Sequence, residues 1–203
     1  MAETHIENGW IKVKRRTKDE WLTPPHIIKA LGNFDLDPCA PINRPWEMAS
    51  HHFTVNDNGL KQNWFGRVWM NPPFGADIYK WVEKLRKHGN GICLIPARVE
   101  SAKFFENVWN SADGIFFFAG RLDFYNADGT RGMSGFGAPC CLVAYGVENV
   151  QAISSSKLKG ILLDLNAAEH RVHLTASGAG GRGQNSLQSS FIADVPPAII
   201  GGR

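Results

Sequence analysis

The 203-residue chain has no run of about 18 or more uncharged apolar residues, and its first twenty residues carry charges where a secretory leader needs an apolar stretch of roughly 7–15. A membrane span and a secreted product are therefore not expected, and the sequence reads as cytoplasmic. Only four cysteines occur, Cys39, Cys93, Cys140 and Cys141, without C-x-x-C spacing. Three of them sit in apolar strand-like runs, so they read as reduced core thiols rather than a zinc or disulfide framework. No His/Cys/carboxylate cluster has ligand spacing, and the neighbours His51 and His52 would point to opposite faces of a strand, so no metal is expected. Charge of one sign is scarce too: 22 Lys and Arg against 19 Asp and Glu leave +3, which is compatible with a nucleic-acid partner without requiring one. There is no internal repeat. At 43% apolar residues a chain of this length buries one core, hence one domain.

What is present is aromatic: seven tryptophans and twelve phenylalanines, most of them core and some suited to stacking on bases or ring cofactors. Residues 1–20 form a basic arm with Lys12, Lys14, Arg15, Arg16 and Lys18; residues 21–175 are the folded domain; residues 176–203 are a Gly/Ser-rich tail or edge segment. Thr23 as N-cap, Pro24 in the first helical position and Gly32 as a stop predict a helix over 24–31. Residues 34–37 alternate as a strand and break at Pro38; 41–63 read as loop with one short strand at 52–55. Residues 66–70 are a short apolar strand stopped by Pro72 and Pro73. Ile78, Trp81, Val82 and Leu85 recur as a helical stripe ended by Gly89. A buried strand over 91–96 follows, then a second striped helix capped by Ser101 with Phe104, Phe105, Val108 and Trp109, then a strand over 114–119. Residues 140–145 and 161–165 are later strands, the former expected to pair near 122–125 across a glycine-rich loop. Strands alternating with helices predict an α/β fold with a mostly parallel sheet and a C-terminal antiparallel hairpin.

In such a sheet, ligands bind beyond the carboxyl ends of the strands, and two segments end there with unusual residues: Asp37-Pro38-Cys39-Ala40 and Asn71-Pro72-Pro73-Phe74. Asn71 offers a side-chain carbonyl. The prolines stiffen the turn and carry no N–H beside their own carbonyls, and Phe74 adds a flat apolar face. Two acceptors and a ring suit a planar group with an exocyclic amine, such as adenine. Drawing out both amine hydrogens would localise the nitrogen lone pair toward an electrophile, so the turn would act by orientation and electrostatics.

Asn71-Pro72-Pro73-Phe74 resembles the Asn/Asp-Pro-Pro-aromatic motif of amino-group methyltransferases that use S-adenosylmethionine. The wider series resembles the phage and prophage DNA N-6-adenine methyltransferase family, often labelled Dam-like. It comprises Trp21-x-Thr23-Pro24-Pro25, Phe34 to Ala40, Asn58-Gly59-Leu60 with Trp64, the turn itself, Leu94-Ile95-Pro96-Ala97-Arg98 and Gly120-Arg121-Leu122-Asp123-Phe124, and covers roughly residues 19–146.

The resemblance implies a single-domain, Rossmann-like methyltransferase fold, S-adenosylmethionine as cofactor, DNA as partner and a bacterial or phage-infected host cell. It places Asn71, Pro72, Pro73 and Phe74 at the target amine. Trp21, Thr23, Pro24 and the loop Asp37, Pro38, Cys39, Ala40 fall at the methionine end of the cofactor, and Asp57 at its adenine or ribose, with Glu47 as the alternative carboxylate. Arg98 and Arg121 fall at phosphates or at loops near the base, or else are surface ion-pair residues. The chain departs from the family pattern in a first cofactor loop that has no glycine before Gly59, and in Phe74 where tyrosine is commoner. Cytosine N-4, RNA or a protein glutamine amide would suit the same turn, and a binding module without chemistry would keep the same fold. A monomer or weak homodimer is expected.

Overall fold

The computed structural model describes residues 4–7 and 10–13 as backbone, and 21–126, 128–132 and 138–166 in full. The 176–203 tail and the basic residues Lys14, Arg15, Arg16 and Lys18 lie outside the described residues. Within the arm, β1 (Thr4–Glu7) and β2 (Trp10–Val13) pair antiparallel.

The remaining strands are β3 (Leu36–Asp37), β4 (His51–His52), β5 (Val68–Met70), β6 (Gly91–Pro96), β7 (Gly114–Phe118), β8 (Cys140–Tyr145) and β9 (Gly160–Asp164). Among the described residues they form one sheet of order β4-β3-β5-β6-β8-β7-β9. The first four pair in parallel; β8 enters antiparallel between β6 and β7, and β9 lies antiparallel on β7. Strands β3 to β7 therefore run one way, and β8 and β9 the other.

The strands bury both faces, and their alternation sorts side chains into two cores. Trp69, Ile92, Leu94, Leu142 and Ala144 join α1 (Pro25–Leu31) and α4 (Val147–Ser155) on one side. Val68, Met70, Cys93, Ile95 and Val143 join α2 (Ile78–His88) and α3 (Ala102–Phe104) on the other. Such double burial is why β5 and β6 read as unbroken apolar runs. Helix α2 buries Ile78, Val82 and Leu85 and stops where Gly89 turns left-handed at φ 77°, its N–H reaching the Leu85 carbonyl.

Several expectations are corrected. Helix α1 begins one residue later than predicted, with Pro24 as the cap residue and Pro25 first in the helix; Thr23 makes no capping bond. The cause is Pro25, which forces Pro24 to an extended ψ of 131°. Ser101 does cap α3 through Phe104 N–H, but the helix then widens into a π-helical turn over Phe105–Trp109. That turn buries Asn107 and leaves Phe105 more exposed than the 3.6-residue stripe implies. Residues 122–125 are not the partner of β8, which pairs with β6 and β7; Tyr125 instead bridges Leu22 and Arg131. Helix α4 was not anticipated.

The edge of the sheet from which β5 begins is tied by Arg67. Its guanidinium lies 4.2 Å over the Phe34 ring and donates to the Leu31 and Asn33 carbonyls and to Asn149 Oδ1, joining α1, β3 and α4. Arg67→Ala is expected to destabilise the fold by about 2–4 kcal/mol, because it strands these acceptors and uncovers Phe34. Urea unfolding measures it, and an unchanged midpoint would show the tie to be idle.

Candidate functional site

Connections leave β3 and β5 in opposite directions: β3 continues to β4 on one side, while β5 continues to β6 on the other. A crevice opens at such a reversal, beyond the carboxyl ends of the two strands. A cavity of about 470 Å³ lies there, a volume within the range of small-molecule sites. Both expected loops line it, 37–40 through Pro38, Cys39 and Ala40, and the turn through Asn71, Pro72, Pro73 and Phe74; Trp21 lines it as well.

The turn is oriented by its neighbours. Asn71 Nδ2 donates to the Trp21 carbonyl at 2.7 Å, which fixes the amide plane and leaves Oδ1 without a hydrogen-bond partner among the described residues. Residue 21 is itself held, since Leu22 and Tyr125 exchange both backbone bonds. The Pro73 carbonyl accepts from Gly75 N–H, whereas that of Pro72 accepts nothing among the described residues. Two acceptors, Asn71 Oδ1 and Pro72 O, thus remain at a rigid turn. Phe74 stands edge-on to Phe124, centroids 6.0 Å apart, and Phe124 also meets Trp21.

The 37–40 loop achieves close approach without a glycine of its own. That role falls to Gly59, packed directly against the loop: a β-carbon there would sit 1.9 Å from the Pro38 carbonyl oxygen. The 57–62 segment is gathered by Lys84 on α2, whose ammonium donates to the carbonyls of Gly59, Leu60 and Gln62, and by Trp64 Nε1, which donates to Gly59 O at 2.8 Å. Asp37 is buried behind the loop, accepts Cys39 N–H on Oδ1, and is pushed up to about 7 by desolvation. Burial, with the Asp37 carboxyl beside it, raises the Cys39 thiol well above its ordinary value and disfavours its thiolate at the cavity wall.

The other expected residues fall around this centre. Thr23 and Pro24 are buried outside the cavity lining, and Thr23 Oγ1 has no hydrogen-bond partner among the described residues. Asp57 is exposed and accepts from Thr54 N–H and Oγ1–H, bracing a turn whose Thr54, Val55, Asn58 and Gly59 line the cavity. Glu47 is engaged with Arg44 and His52. Arg98 and Arg121 are exposed, following β6 and β7 at the same edge of the sheet as the turn. Sequence reasoning missed Ile42, Val55 and Trp81 as cavity walls. Trp81 belongs to the α2 stripe, and a stripe cannot separate a core ring from one that faces a cavity. Among the described residues no helix is long and apolar enough to cross a membrane, and no three His, Cys, Asp or Glu groups could hold a metal ion together.

Asp37 makes stability pH-dependent. The unfolded chain ionises this group near 3.8 and the folded chain near 7, so stability is lost as pH rises between those values. Asp37→Asn keeps the acceptor for Cys39 N–H and is expected to melt higher than the parent at pH 8, with the gap closing toward pH 4. Thermal melts across that range test it; a gap independent of pH would contradict the buried neutral carboxyl.

Compared with known proteins, the chain matches no curated protein and no solved structure. The family model for DNA N-6-adenine-methyltransferase (Dam) matches residues 11–159, which span the cavity, both loops and the sheet through α4. The chain belongs to the DNA N-6-adenine-methyltransferase (Dam) family.

Proposed function

We propose that the protein transfers a methyl group from S-adenosylmethionine to the N-6 amine of an adenine turned out of DNA, on a Rossmann-like methyltransferase sheet. The observation that carries this reading is the Asn71 amide, pinned on the Trp21 carbonyl so that Oδ1 is left as an acceptor at the wall of the cavity. The parallel β4-β3-β5-β6 run with its reversal at β3/β5, and the reversed strand β8 beyond it, support the fold.

The residues suit the cofactor chemically. It is a cation, and the buried Asp37 carboxyl, reluctant to ionise beside apolar neighbours, is stabilised as an anion by a positive group. Trp21, Pro38, Cys39 and Ala40 at the cavity wall would hold the methionine end, with Thr23, Pro24 and Asp37 buried behind them, and Asp57, through the turn it braces, the adenosine end. S-adenosylmethionine bound there supplies a methyl group already activated by a sulfonium.

The protein's own part is to aim the acceptor nitrogen. Asn71 Oδ1 and the Pro72 carbonyl take the two amine hydrogens, which turns the lone pair out of conjugation, and Phe74 stacks on the base. Extruding the base costs a few kcal/mol, which stacking and these two bonds partly offset. Neither acceptor need be a strong base, since the nitrogen sheds its proton readily once alkylated. Arg98 and Arg121 stand where phosphates flanking a flipped base would pass. Sequence selection falls to loops 41–63 and 120–137 or to the C-terminal part, with part of the second loop and the 176–203 tail outside the described residues.

Asn71→Ala is expected to lower methyl transfer to DNA at least about a hundredfold while leaving the melting temperature and S-adenosylhomocysteine binding near wild type. Asn71→Asp, though isosteric, sets a carboxylate oxygen against the Trp21 carbonyl and should also lose activity. Labelled transfer followed by digestion to nucleosides reads both variants and the acceptor. Label on cytosine, RNA or protein would overturn the adenine assignment, and wild-type activity in Asn71→Ala the role of the turn.

A further inference from the structure

The cavity has a second flat aromatic wall that the methyl-accepting chemistry does not use. Trp81, one turn into α2, lines it, whereas Val82 and Leu85 of the same helix are fully buried in the core. Its indole lies nearly parallel to that of Trp64, at 21° with centroids 6.3 Å apart. Trp64 is in turn fixed by its Nε1–H on the Gly59 carbonyl, and the Lys84 ammonium lies 4.9 Å from its ring centroid. This layering holds the Trp81 ring in place before any ligand arrives, so a planar ligand stacked on it would cost little further side-chain entropy.

Position decides which ring it serves. A β-carbon at Gly59 would meet the Pro38 carbonyl and Trp81 Cη2, so Trp81, Gly59 and the 37–40 loop converge at one point. The amine acceptors belong to a different segment, the turn whose Asn71 is tied to Trp21 and whose Phe74 packs on Phe124. The cavity therefore offers one ring on the turn that carries the acceptors and another beside Gly59, at the end of the Asp57-braced turn assigned above to the adenosine end. We infer that Trp81, backed by Trp64, is the surface on which the purine of the cofactor stacks, a positioning role that rests on the methyltransferase reading above.

The test titrates the full chain calorimetrically with two probes: S-adenosylhomocysteine, and 5′-methylthioadenosine, which keeps the purine and lacks the amino-acid end. Trp81→Ala is expected to weaken both by a similar factor, roughly tenfold or more, and Trp81→Phe to recover most of the loss, with melting temperatures showing that both variants fold. If Trp81→Ala fails to fold, Trp81→Phe and Trp81→Leu carry the comparison, the aromatic variant binding both probes several-fold more tightly than the aliphatic one. Equal affinities in folded variants, or a loss confined to S-adenosylhomocysteine, would overturn the assignment while leaving the methyltransferase reading intact. Wild-type protein that binds neither probe would sink that reading itself.

Discussion

One hydrogen bond sets the meaning of the site: Asn71 Nδ2 on the Trp21 carbonyl. A primary amide has a donor end and an acceptor end that are otherwise interchangeable by a half-turn, and a free Asn71 would present either to a ligand. Committing the donor to a backbone carbonyl removes one choice. That carbonyl belongs to a segment anchored through Leu22 to Tyr125, in the long connection that follows β7. The orientation of one side chain after β5 thus depends on two remote stretches of sequence meeting over it.

A second constraint acts on the 37–40 loop. Where a cofactor loop rich in glycine could bend to its ligand, this one is stiffened by Pro38 and Pro41, and the space it needs comes from Gly59 on the facing segment. Lys84 and Trp64 then bind that segment to α2, the helix that the Asn71 turn leads into. The two sides of the cavity are joined through one helix and keep their spacing, which is the preorganisation that orientation-based catalysis requires.

Much of this was legible from residue order. The strand ending at Met70, the broken turn after it, the α2 stripe and its stop at Gly89 follow from local chemistry, as does the convergence of the two loops at adjacent strand ends. What was hidden depends on partners distant in the chain. The insertion of β8 between β6 and β7 is decided by tertiary pairing, since either neighbour offers the same apolar face. The π-helical turn at Phe105–Trp109 has no local period to betray it, and α4 was masked by Asn149, a buried polar residue whose bonds to Asn90, Tyr145 and Arg67 only the folded chain supplies. Asp57 accepts from Thr54 N–H and Oγ1–H, a local turn contact that its charge alone does not reveal.

The reversal of β8 has an effect of its own. Because it runs against β6, the residues after it emerge at the far edge, where Gly146 N–H meets Asp113, Asn149 meets Asn90, and Arg67 gathers α1, β3 and α4. That rim is fastened apart from the cavity, which lies at the other. A fusion partner can therefore be grafted at the far rim without crowding the cavity mouth.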